Sequence, residues 1–129
     1  MNAALYLWQL PQHLIALALL LWFRDGYCTY RDGPAIIVRM RSGFRAGLCL
    51  GGFVFVSVNA PPKIIRHEKG HARQSRMLGP LYLLVIGIPS LCIHWWDRLF
   101  HRDWTPEDRV RWYYSRWPES WADRLGGCE

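Results

Sequence analysis

Two histidines four residues apart, with a glutamate after the first, form the pentapeptide His67-Glu68-Lys69-Gly70-His71. On a helix this spacing puts both imidazoles on one face, where they can hold a single metal ion. Glu68 points to a different side, so it can take a proton from a water near the ion without binding the ion itself. A divalent ion brings the pKa of such a water from about 15.7 towards about 7, within reach of a carboxylate. Two ligands are too few, and a pentapeptide of this form arises by chance in roughly one chain of this length in a few hundred. A third ligand must come from elsewhere. In the C-terminal stretch Glu119-Ser120-Trp121-Ala122-Asp123 the two carboxylates are also four apart and share a helical face. Glu119 is a candidate ligand. Asp123 is a candidate acceptor for the far ring N–H of a ligand histidine, which would fix its tautomer. Gln74 and Ser75 fall near the metal face and can hydrogen-bond the ligands. A glycine inside a helix costs about 1 kcal/mol relative to Ala, and close packing beside a metal site would account for Gly70. Without a metal, the same residues make a solvent-facing polar helix and a surface carboxylate pair.

HExxH followed downstream by E-x-x-x-D resembles the gluzincins, the thermolysin-like branch of zinc metallopeptidases. The stretches HEKGHARQSRMLGPLYLLVIGIPS and YYSRWPESWADRLGG, with WQLPQ at Trp8 to Gln12, also look like small uncharacterised bacterial or phage proteins with an HExGHxxQS motif. The resemblance implies zinc on His67, His71 and Glu119, Glu68 as general base, and Asp123 as the carboxylate behind a ligand. No stretch matches the larger C-terminal domain of gluzincins, which helps form their cleft and supplies a His or Tyr to the oxyanion. Tyr113, Tyr114 and His101 are the candidates for that role.

The elements that must position these groups are readable in outline. A helix is expected over Leu5 to Phe23, kinked near Pro11. Ala35–Met40, Phe44–Leu50 and Phe53–Val58 read as strands between Gly-rich turns, in an antiparallel meander. Asn59 is expected to cap the metal helix, which runs to about Met77. Thr105-Pro106-Glu107-Asp108 starts a further helix, broken at Pro118 and stopped by Gly126-Gly127. The expected fold is α+β, a single minimal zincin-like domain over residues 1–129: an N-terminal apolar helix, a small three-stranded antiparallel sheet, the HExxH helix and C-terminal helices.

Leu5–Phe23 and Leu78–Trp96 carry no formal charge. The first is just long enough to span a bilayer, which takes roughly 20 residues. Gln9, Pro11, Gln12 and His13 weaken its first half. The second is interrupted by Gly79, Pro80, Gly87 and Pro89, and reads either as a kinked core helix or as a re-entrant or interfacial segment. Together they point to membrane association; if the first segment spans, the arginines after Phe23 place the rest of the chain in the cytoplasm. The metal helix, KIIRHEKGHARQSR, is too charged for the hydrocarbon core and is expected to face water. His13 reads as a hydrogen-bonded structural residue and His94, before Trp95-Trp96, as an interface residue. Cys28, Cys49, Cys92 and Cys128 form no CxxC and read as free buried thiols in a reducing compartment. The net charge of +6 is spread over scattered arginines with no motif specific for nucleic acid. Two functions fit: hydrolysis of a peptide or protein substrate, with Phe53–Val58 lining the cleft and pairing with it, or a non-catalytic protein in which zinc staples two helices.

Overall fold

The computed structural model describes residues 3–23, 26–41 and 47–128. The N-terminal apolar stretch forms two helices, α1 (Ala3–Trp8) and α2 (Leu10–Trp22), which meet at Gln9 ahead of Pro11. Proline lacks an N–H and crowds the preceding turn, so it is tolerated only near a helix start. The polar residues here face inward: Gln9, Gln12 and His13 are fully buried, while Leu21 and Trp22 are 76% and 81% exposed. Gln12 Nε2 donates to Ser75 Oγ (3.0 Å) and to the Gly79 carbonyl (2.7 Å), and Ser75 Oγ donates to Gln9 Oε1 (2.6 Å). Trp8 Nε1 donates to the Arg76 carbonyl (3.0 Å). His13 is a structural residue, as expected: Gly52 N–H donates to its Nε2 (3.0 Å), and its Nδ1 donates to the Tyr6 carbonyl (3.0 Å).

The sheet has four strands, not three: β1 (Tyr27–Asp32), β2 (Ala35–Met40), β3 (Leu48–Leu50) and β4 (Phe53–Ser57), in the order β1-β2-β4-β3. It is mixed. β2 pairs with β4 in parallel, Ile36 opposite Phe53 and Met40 opposite Ser57, while β1 and β3 are antiparallel to their neighbours. The meander fails because the β3–β4 hairpin folds back, so that β4 inserts beside β2 and leaves β3 at the edge. Burial drives this. β2 and β4 are apolar on both faces, which suits central strands. The unexpected β1, YCTYRD, is an exposed edge strand. Residues 42–46, including the start of the expected Phe44–Leu50 strand, lie outside the described residues, as does Arg24.

Strand alternation sends Ala35, Ile37, Val54 and Val56 to one face, against Ile65 and Ala72 of α3 (Pro62–Leu78). Val38, Met40, Phe53 and Phe55 face the other way, against Ala16, Leu19 and Leu20 of α2. α3 and α2 thus cover opposite faces of one sheet. Pro61, not Asn59, occupies the N-cap of α3, because the residue before Pro62 is held extended. Asn59 instead turns back on Ser57.

After α3 comes a short 3-10 turn (Gly79–Leu81), a π-helical turn (Leu83–Gly87) and α4 (Ile88–Phe100). The continuous run Leu83–Phe100 is long and apolar enough to cross a membrane by length and composition, and 6% of it is buried. Leu83–Phe100 is therefore not buried within the chain, whereas Gly79 and Tyr82 before it are. Thr105 caps α5 (Pro106–Ser115) by accepting from Asp108 N–H (3.2 Å), and α6 (Glu119–Gly126) follows the break at Pro118. All four cysteines are free, but only Cys49 is buried; Cys28 and Cys92 are exposed.

α6 lies backbone to backbone on α3. A β-carbon on Gly70 would stand 1.9 Å from the Ala122 carbonyl oxygen, and one on Gly126 would stand 2.1 Å from that of Arg66. Arg73 Nη1 donates to the Leu125 carbonyl (2.6 Å) across the same seam. Gly70→Ala should therefore lower stability by about 1–3 kcal/mol, despite the better helix propensity of Ala. Gly87→Ala, whose added carbon meets nothing nearer than 3.8 Å, should not. Thermal melts of the two variants check this.

Candidate metal centre

The helix–helix seam delivers Glu119, at the first turn of α6, onto the two imidazoles of α3. Glu119 Oε2 lies 2.8 Å from His67 Nε2 and 2.9 Å from His71 Nε2. The three side chains are buried, and one ligand atom from each lies within 4.8 Å of the others. The far nitrogen of each ring is engaged. His67 Nδ1 donates to Asp123 Oδ1 (2.7 Å), and His71 Nδ1 donates to Gln74 Oε1 (2.7 Å). Gln74 is fixed in that sense because its Nε2 donates to the Pro118 carbonyl (3.2 Å). Both Nδ1 atoms are thereby committed as donors, and both Nε2 atoms converge on one carboxylate oxygen. Such an arrangement calls for positive charge at the convergence point, either protons on Nε2 or a cation, and the group could hold a metal ion. Ser90 Oγ donates a short hydrogen bond to the other oxygen, Glu119 Oε1.

The metal-free electrostatics follow. Burial pushes the Glu119 carboxyl up, but hydrogen bonds to His67 and His71 outweigh it and hold the group well below the usual carboxylate range. Burial disfavours a charged His71, yet its bond to Glu119 and the nearby Glu68 charge raise it to about 9. His67 is raised by the same balance, and Glu68 is raised chiefly by burial.

Glu68 sits where two cavities meet. One, of about 590 Å³, runs past His67 and Tyr114 to Asp97 and Arg109. The other, of about 540 Å³, runs past His71 and Glu119 along β3 to the π-helical turn. Gly47, Glu68, His94 and Tyr113 line both. A β-carbon on Gly47 would fall 2.1 Å from Glu68 Oε1, so Gly47 makes room for that carboxylate. The Tyr114 ring stands edge-on to His67 (4.8 Å between centroids), and burial, with the Glu68 and Glu119 charges, pushes its phenol up to about 12. Burial raises Tyr113 further, and both phenols keep their protons at neutral pH.

Comparison with protein-family models, with curated proteins and with solved structures returns no match.

His67, Glu68, His71, Glu119 and Asp123, expected from spacing, are thus brought together, with Gln74 beside them. Tyr113 and Tyr114 also reach the cleft. His101 does not: its Nδ1 pairs with Asp97 (3.0 Å), its ring stacks on Trp104, and it lines neither cavity. Asp97 is held low because Arg109 and His101 hydrogen-bond it against the cost of burial. His94 turns inward to the cleft. β2 pairs along the whole of β4 on one edge, and β3 covers Phe53–Phe55 on the other. Ser57 of β4 lines the larger cavity, and β3 lines the smaller. Ser90 and Gly47 had no motif to mark them.

Because His71 holds its proton up to a pH of about 9, a metal ion must displace it. Binding at pH 7 should release about one proton or more per ion, and affinity should climb as pH rises towards 9. Titration calorimetry in buffers of different ionisation enthalpy measures the release.

Proposed function

We propose that the chain is a minimal, membrane-associated zinc peptidase with its site in the water phase on the cytoplasmic side. The observation that carries this is the convergence of two tautomer-fixed imidazoles and a buried carboxylate beside an open cleft with Glu68 at its centre. Two nitrogens and one oxygen suit zinc, and three protein ligands leave a coordination position open, as catalytic sites require. When bound, the ion supplies Lewis acidity, polarising a carbonyl and acidifying water.

The chain's own residues do the rest. Glu68, raised by burial, accepts a proton from the attacking water and returns it to the leaving amine. Asp123 and Gln74 hold the histidine rings, and Ser90 fixes the Glu119 carboxylate. Tyr113, protonated and lining both cavities, is a donor available to a developing oxyanion, and Tyr114 in the larger cavity is a second. An extended peptide would lie along β3. Membrane association is supported by the exposed apolar run Leu83–Phe100 and by the outward apolar side of α2.

A non-catalytic reading is favoured by one observation, that the same donors tie α6 to α3. It expects chelation to unfold the protein with no peptide cut.

Metal analysis of purified protein should give about one zinc per chain, and Glu119→Ala should lose it. Glu68→Gln should keep zinc while peptide hydrolysis falls about 10²–10⁴-fold. Unchanged hydrolysis in that variant would remove Glu68 as the base, and absence of zinc from the wild type would remove the enzyme.

A further inference from the structure

The two cavities differ in chemistry. The larger carries Asp97 and Arg109 at its far end. Away from Glu68, His71 and Glu119, the smaller is walled chiefly by Leu48, Leu50, Leu83, Ile88 and Leu91; among the described residues, no Lys, Arg or Asp lines it. Its volume of about 540 Å³ is that of a ligand pocket rather than a packing defect.

Ile88 and Leu91 belong to two surfaces at once. They line this cavity, yet they are 53% and 57% exposed and lie on the apolar run of which 6% is buried. The cavity wall is thus continuous with the outer apolar surface, on the side away from Asp97 and Arg109.

We infer that the smaller cavity receives an uncharged, apolar stretch of a polypeptide substrate presented at the membrane surface, entering from the apolar face of α4. This rests on the peptidase reading and adds the substrate class. A charged side chain there would lose its hydration with no partner on Leu48, Leu50, Leu83, Ile88 or Leu91, whereas an apolar one gains by burial. An acidic one would also meet the Glu68 and Glu119 carboxylates, and a basic one finds neither free in the Glu68→Gln protein, where Glu119 would be held by zinc. The β3 main chain along the same wall favours an extended peptide over a compact ligand.

The test uses full-length Glu68→Gln protein, zinc-loaded, in lipid nanodiscs. Fluorescein-labelled decapeptides that differ only at two central positions, Leu-Leu, Lys-Lys or Asp-Asp, are titrated by anisotropy, with empty nanodiscs to subtract partitioning. The Leu-Leu peptide should bind about tenfold tighter or more than either charged one. Leu91→Asp and, separately, Ile88→Asp should erase most of that preference with zinc content and co-elution with the nanodiscs unchanged; both positions are exposed, so packing within the chain has no reason to fail. Equal binding of the three peptides overturns the inference, as does a preference that survives both Asp variants. Tight binding of dodecanoate without any preference among peptides would assign the cavity to an acyl chain, and also overturns it. Failure of the peptidase reading is seen separately, in zinc content and in cleavage by the wild type, because the preference is measured in a protein that cannot turn over.

Discussion

At Gly70 the backbone of α6 comes so close to α3 that no side chain fits between them. That approach sets the reach of Glu119, whose short carboxylate must arrive between two imidazoles fixed one helical turn apart. Once there, it makes a buried anion that is stable only beside positive charge. Protons on the two rings or a bound cation can each meet that need, so the site is poised between two occupants. Asp123 and Gln74 make the exchange clean, because they hold the outer ring nitrogens in the same state whichever occupant is present.

Two helices, α2 and α4, turn polar groups inward and apolar ones outward. α2 buries Gln9, Gln12 and His13 and exposes Leu21 and Trp22; α4 buries Asp97 and exposes Leu91 and Trp95. Such inversion suits a solvent that is itself apolar, or a partner that is. Between these helices the sheet provides an ordinary core, and α3 forms the wall between that core and the cleft.

Spacing, together with the resemblance to the gluzincins, made the residues of the site legible. His67 and His71, and then Glu119 and Asp123, lie four apart, and the helical repeat dictates that each pair shares a face whatever the tertiary fold. What spacing does not encode is which loop or helix passes over that face. Ser90 reaches Glu119 from an otherwise apolar segment, and Gly47 matters for what it lacks. The sheet was legible as strands but not as a topology. Ala35–Met40 and Phe53–Ser57 announce themselves by β-branched and aromatic residues, yet their parallel pairing depends on the β3–β4 hairpin folding back between neighbours. β1 was hidden because an exposed edge strand has no apolar alternation to show. In the second apolar segment, the glycines and prolines suggested interruption; the chain accommodates Pro89 with a π-helical turn before α4 and keeps the helix continuous.

The buried amides of α2 also impose an order of assembly. Gln12 finds its partners at Ser75 and Gly79, more than sixty residues later in the chain. A ribosome delivers α2 long before those partners exist, and until then its inner side must remain hydrated or pay for dry, unpaired amides, at about 1–3 kcal/mol each. The N-terminal helix is therefore made first and seated only once α3 is in place. The QS dipeptide after HEKGH, which looks like an appendage of the metal motif, is the keyhole into which that helix finally turns.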